Sequence, residues 1–143
     1  MGKSLYDKVN IGTLELSNRF VRSATWEGMC DEYGRPTARL AELYREMAEG
    51  GVGLIITSHT YVRPDGMGSP RQLGLSDDKF IPGLRELTDA IHSHNTPVAV
   101  ELSHSGILAN EKVTKLTPLV LSKVKGYAGS EGREMSAEDI QDM

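Results

Sequence analysis

Hydroxyls, imidazoles and a carboxylate gather at three places in this chain, each directly after a short apolar run. Phe20-Val21-Arg22 leads into Ser23-Ala24-Thr25-Trp26, and Val52-Gly53-Leu54-Ile55-Ile56 leads into Thr57-Ser58-His59-Thr60-Tyr61. Pro97-Val98-Ala99-Val100 leads into Glu101-Leu102-Ser103-His104-Ser105-Gly106. The β-branched runs read as strands, and the amphipathic stretches between them read as helices. Alternation of this kind predicts an α/β fold with a parallel sheet. The carboxyl ends of parallel strands share one side of the sheet, so the three clusters should converge on one pocket. Groups of these types suit the holding of a small molecule, and the arrangement points to an enzyme.

The elements that position the clusters follow from the pattern. Residues 5 to 18 read as a short β-hairpin, with Val9 and Ile11 alternating before a Gly12-Thr13 turn and Leu14 and Leu16 after it. The first strand covers 19 to 23. A helix from about Pro36 to Glu49 follows, its stripe of Leu40, Leu43, Tyr44, Met47 and Ala48 falling at helical spacing. Gly50-Gly51 ends it, because glycine reaches the left-handed backbone of a helix terminus. The second strand, from Val52 to Ile56, is apolar on both faces, as in a sheet covered on both sides. Residues 62 to 77, rich in Gly and Pro, predict a long loop on the pocket side that acts as a lid or binding segment. A second helix spans about Phe80 to Ser93, with Asp77 or Asp78 as N-cap. The third strand ends at Glu101-Leu102. A loop of about 30 residues follows, in which residues 117 to 122 form an extra strand or arm. Ser136 and Asp139 resemble a capping box that opens a helix just before Met143.

Composition sets the outer limits. The 143 residues are 38% apolar and 25% charged, which is the balance of a soluble globular domain. A net charge of −4 with no basic stripe argues against a nucleic-acid partner. No apolar run is long enough to cross a membrane, and no signal peptide precedes the first strand, so a cytoplasmic location is expected. The single cysteine, Cys30, excludes an internal disulfide and fits a reducing compartment. His92, His94 and His104 lack convergent metal ligands, so no metal site is expected.

Asn18-Arg19-Phe20-Val21-Arg22-Ser23-Ala24-Thr25, Gly50-Gly51-Val52-Gly53-Leu54-Ile55-Ile56 and Glu101-Leu102-Ser103-His104-Ser105-Gly106 occur in series. Together they resemble the N-terminal part of the Old Yellow Enzyme family, the NADH:flavin oxidoreductases, from about Leu5 to Met143. The resemblance implies a partial TIM (β/α)8 barrel: about the first three β/α units, preceded by the hairpin. It also implies that residues 1–143 are the N-terminal part of a single FMN-binding domain. An eight-unit barrel takes roughly 250 residues, so the chain is expected to be truncated. By position, the family's FMN contacts fall on Ser23, Ala24, Thr25, Trp26, His59 and Glu101. Trp26 stands where relatives place Thr or Cys, His59 where a small residue meets the flavin ring, Glu101 where most carry Gln, and Ile107 where Arg often stands. Glutamate accepts but does not donate, and indole donates but does not accept.

The implied reaction passes hydride from NADH or NADPH through FMN to an electrophilic alkene or similar small-molecule acceptor. The family's proton donor, substrate-gripping pair and phosphate-binding loops lie further along the barrel, so no catalytic residue is expected here and FMN should bind weakly or not at all. A rival reading is a non-catalytic barrel fragment that self-associates as a homo-oligomer to cover its open strand edges. A third is another phosphate-binding barrel such as an aldolase, although no strand carries the lysine it would need.

Overall fold

The computed structural model describes residues 2–122 and 131–143. The hairpin forms as expected, β1 (Val9–Ile11) pairing antiparallel with β2 (Leu14–Leu16). Three parallel strands then make the main sheet: β3 (Val21–Arg22), β4 (Leu54–Tyr61) and β5 (Val98–Ser103), in the spatial order β3-β4-β5. The crossovers contain α1 (Ala38–Glu49) and α2 (Ile81–His92). The two helices pack on each other and on one sheet face, around Leu40, Tyr44, Ala48, Ile55, Leu87 and Ile91. Strands in sequence order with both helices on one side are the winding of a barrel wall. A doubly wound sheet would place helices on both faces. The fold is the expected arc of three β/α units from a TIM (β/α)8 barrel.

Several boundaries move for identifiable reasons. Pro36 lies outside α1, because Thr37 is its N-cap, with Oγ1 accepting from the Leu40 N–H at 3.4 Å. The second strand runs past Ile56 to Tyr61, so the polar cluster expected beyond its end lies within the strand itself. A bulge between Ile56 and His59 explains how the strand continues: Ile56 pairs with Ala99, and the next pairing is His59 with Glu101. The second helix starts at Ile81 after one 3-10 turn, Asp78–Phe80, whose cap is Asp77.

The long loop is docked rather than free. Gln72, with no exposed surface, accepts from the N–H groups of Gly68 and Ser69 and donates to the His59 carbonyl and Ser103 Oγ. Leu73 and Met67 are buried, and Tyr61 pairs with Gly74. Residues 62–75 thus extend the wall at the strand ends; the lid role that the sequence suggests has no support in this packing.

Beyond β5 come a short α3 (Glu111–Thr114) and the expected arm, β6 (Leu119–Val120), which pairs parallel with β7 (Arg133–Glu134). The rest of the long loop, residues 123–130, lies outside the described residues. The capping box is present: Asp139 N–H bonds Ser136 Oγ, Ser136 N–H bonds Asp139 Oδ2, and α4 (Ala137–Gln141) follows. Among the described residues, no helix is long and apolar enough to cross a membrane.

Candidate functional site

Strand alternation sorts the candidate residues between the two faces of the sheet. Arg22 pairs with Ile55 and Ile55 with Val98, and these three face the helices. Ser23, Ile56, Ala99 and Glu101 therefore face the opposite side, which is the inner surface of the arc. The bulge decides where His59 points. In unbroken register it would pair with Leu102 and face the helices. One extra residue in β4 pairs it with Glu101 instead and turns it inward. By this register Ser23, His59 and Glu101 share the inner face near the carboxyl ends of three adjacent strands.

Residues 23 to 29 have no regular secondary structure, yet a buried ion pair closes their first part into a short arch. The Arg22 guanidinium donates to the Glu27 carboxylate, to the Thr25 carbonyl at 3.1 Å and to the Ile56 carbonyl at 2.8 Å. Tyr44 Oη donates to Glu27 Oε1 at 2.7 Å and accepts from the Ser58 N–H at 3.1 Å. The guanidinium also lies over the Tyr44 ring, 5.2 Å from its centroid. The sequence pattern marks neither Arg22 nor Glu27 as a site residue and puts Tyr44 in an apolar stripe. The only sequence signal for them is an arginine and a glutamate flanking the arch.

Within the arch, Ser23 and Thr25 are exposed and Ala24 is half-buried. Among the described residues, no acceptor takes the N–H of Ala24, Thr25 or Trp26. Thr25 Oγ1 donates to the Ser23 carbonyl at 3.3 Å. The Trp26 indole N–H is engaged with the Pro70 carbonyl at 3.2 Å, and its ring lies against Gly28. Trp26 therefore ties the arch to the docked loop, while its half-exposed ring stands at the rim. Uncommitted N–H donors after β3 and an exposed carboxylate acceptor on β5, two strands away in one sheet, suit a heteroaromatic ring that carries both acceptors and an N–H on its edge. The donor set fits a flavin.

His104 is buried beneath the next loop. Its Nδ1 accepts from the Gly106 N–H at 3.1 Å, and its Nε2 lies 3.6 Å from Asp65, itself bound by Arg63. The ring packs against Gly66, and Nε2 is buried with no hydrogen-bond partner among the described residues.

Cys30 packs in the helix-side core, where burial first, then the charges of Glu27 and Asp31, push its thiol up to about 12. Tyr61 is pushed up to about 12, again chiefly by burial, and Tyr44 also rises through burial and its bond to Glu27. These groups are neutral when protonated, and the unfolded chain releases their protons first, from about pH 8.5 for cysteine and about 10 for tyrosine. Their stabilising contribution is thus complete below about pH 8.5 and is lost as pH rises through 12. The guanidinium midpoint should fall steadily over that range. A thiol reagent at pH 8 should label Cys30 only after denaturation; fast labelling of the native chain would contradict its burial.

A model of the NADH:flavin oxidoreductase / NADH oxidase family matches residues 4–143. The chain is 32% identical over 143 residues to an NADH oxidase of Thermoanaerobacter brockii, covering 98% of this chain and 22% of that protein. It is 32% identical over 132 residues to a 4,4'-dithiodibutanoate disulfide reductase of Rhodococcus erythropolis, covering 86% of this chain and 32% of that protein. The chain thus spans less than a third of the length of either relative. The Old Yellow Enzyme homologue of Zymomonas mobilis superposes with a TM-score of 0.87 at 24% identity, over 97% of this chain and 41% of that one. At that identity the superposition speaks for the fold.

Proposed function

The chain belongs to the NADH:flavin oxidoreductase / NADH oxidase family, as an N-terminal portion of its barrel, and we propose that residues 1–143 supply the ring-binding wall of a single FMN-binding domain. In this reading Ser23, Ala24, Thr25, Trp26, His59 and Glu101 contact the flavin. The arch presents N–H groups, Glu101 accepts from the N–H of the pyrimidine edge, and His59 and the Trp26 ring flank the ring system. What supports the reading is that the arch with its uncommitted N–H groups follows β3, while His59 and Glu101 pair across the next two strands of the same sheet.

Bound FMN would supply hydride transfer from NADH or NADPH to an electrophilic alkene or similar small-molecule acceptor. This chain's residues bind and orient the ring; we assign none of them to proton transfer. Among the described residues the proposed contact set contains no arginine or lysine to take a phosphate, so FMN binding by this chain alone should be weak.

Glu101 gives the test. A flavin pyrimidine edge carries one N–H donor between two carbonyl acceptors. The carboxylate meets the donor and repels an adjacent carbonyl, whereas glutamine satisfies both. Glu101→Gln should therefore tighten FMN binding roughly fivefold, the effect of about 1 kcal/mol from one added hydrogen bond. A visible-absorption titration measures it, and unchanged or weakened binding would remove Glu101 from the site.

A second reading is favoured by the sheet edges. Val100 and Leu102 follow Val98 on the outer face of β5 but are exposed, Leu102 at 62%. A second copy could cover this strip and make the chain a homo-oligomer, with no catalytic role required.

A further inference from the structure

We infer that Arg22, Glu27 and Tyr44 act as positioning residues that set the arch and the His59 bulge together, a role that rests on reading both as flavin contacts. None of the three side chains belongs to the proposed contact set. Arg22 and Glu27 flank the arch, and their ion pair fixes the span between its ends. The same guanidinium takes the Thr25 carbonyl, so the arch is held at its middle as well. The Arg22 bond to Ile56 then locks this assembly to β4 at the first residue of the bulge.

Tyr44 completes the coupling from α1. Its hydroxyl donates to Glu27 and accepts from the Ser58 N–H, a backbone donor within the bulge. That bulge is what turns His59 toward Glu101. One phenolic oxygen thus joins the arch, which presents the free N–H donors, to the irregularity that presents the imidazole. Both the arch and the bulge are irregular backbone without a continuous ladder, and such segments keep one shape only when neighbours over-determine it. Arg22 and Glu27 are 13% and 7% exposed at the side chain, so solvent competes little for their bonds.

The test uses the full 143-residue chain with Tyr44→Phe, Glu27→Gln and a control, Ile91→Val, which loosens the same helix-side core away from the network. Trp26, the only tryptophan, reports the arch through acrylamide quenching, and an FMN titration reports the site. At a temperature where far-UV dichroism shows all variants folded, Tyr44→Phe and Glu27→Gln should each raise the FMN dissociation constant about tenfold and Trp26 quenching about twofold, from lost preorganisation. Ile91→Val should change neither. Equal responses from all three variants would reduce the network to general stability and overturn the inference. So would unchanged quenching in both network variants. If the unsubstituted chain leaves the FMN spectrum unperturbed while quenching responds only to the network variants, the positioning of the arch stands and the flavin reading falls.

Discussion

Replacing Arg22 by leucine should destabilise the fold by about 3–5 kcal/mol, the range for removing one partner of a buried ion pair. The size follows from what remains. Glu27 would keep its bond to Tyr44 but lose its counter-charge in a site almost closed to water. The carbonyls of Thr25 and Ile56 would lose their donors, and the Tyr44 ring would lose the cation above it. A domain of this size has roughly 5–15 kcal/mol in total, so the variant should be partly unfolded at modest urea concentrations. Adding Glu27→Leu to the first change should restore much of the loss, since the cost lies in the stranded charge. An unfolding free energy from urea titration within 1 kcal/mol of the parent for Arg22→Leu would show that the pair is solvated and the network is not structural.

Gly53→Ala should cost about 3 kcal/mol, at the upper end for overpacking. A methyl group there would lie 2.7 Å from both the Asn18 carbonyl and Asn18 Oδ1, and 3.2 Å from the Phe20 carbonyl. None of these atoms can yield cheaply. Asn18 is locked by a bond from its Nδ2 to the Gly51 carbonyl at 2.7 Å and one from the Phe20 N–H to its Oδ1 at 3.0 Å. Gly53 itself donates to Phe20 at 3.0 Å, so β3 and β4 meet here backbone to backbone. Gly51→Ala is the contrasting case: φ is +82° but the space is open, and the cost should be nearer 1 kcal/mol. Thermal unfolding of both variants distinguishes steric closeness from backbone strain, and equal losses would refute the close approach.

Much of this fold is legible in the sequence, because its main elements carry strong periodic signals. Val21, Ile55 and Val98 announce strands, and the stripe through Leu40, Tyr44 and Ala48 announces a helix facing them. The same logic hides β4 beyond Ile56. Thr57-Ser58-His59-Thr60 reads as loop, and its strand character comes from pairing with β5 and from cover by the docked loop. Gly53 is a readable exception, since a glycine inside a strand often marks close backbone approach. The candidate site divides in the same way. That the clusters holding Ser23, His59 and Glu101 fall toward one end of the sheet could be read, because parallel strands share a carboxyl side. Arg22, Glu27 and Tyr44 could not: the Arg22–Glu27 pair lies in irregular backbone with no period, Tyr44 reaches Glu27 from 17 residues away, and Tyr44 fits an apolar stripe equally well. The bulge that turns His59 inward is likewise a product of pairing with β5.

The central claim is that the arch and the strand ends of the inner face bind the flavin ring. The most direct measurement is a two-dimensional 15N–1H NMR titration of the chain with FMN, which detects weak binding residue by residue. The amide signals of Ser23, Ala24, Thr25, Trp26, His59 and Glu101 should shift together along one binding curve, with those of α1 and α2 unmoved on their outer faces. Shifts confined to the helices, or no shift at millimolar FMN, would contradict the claim.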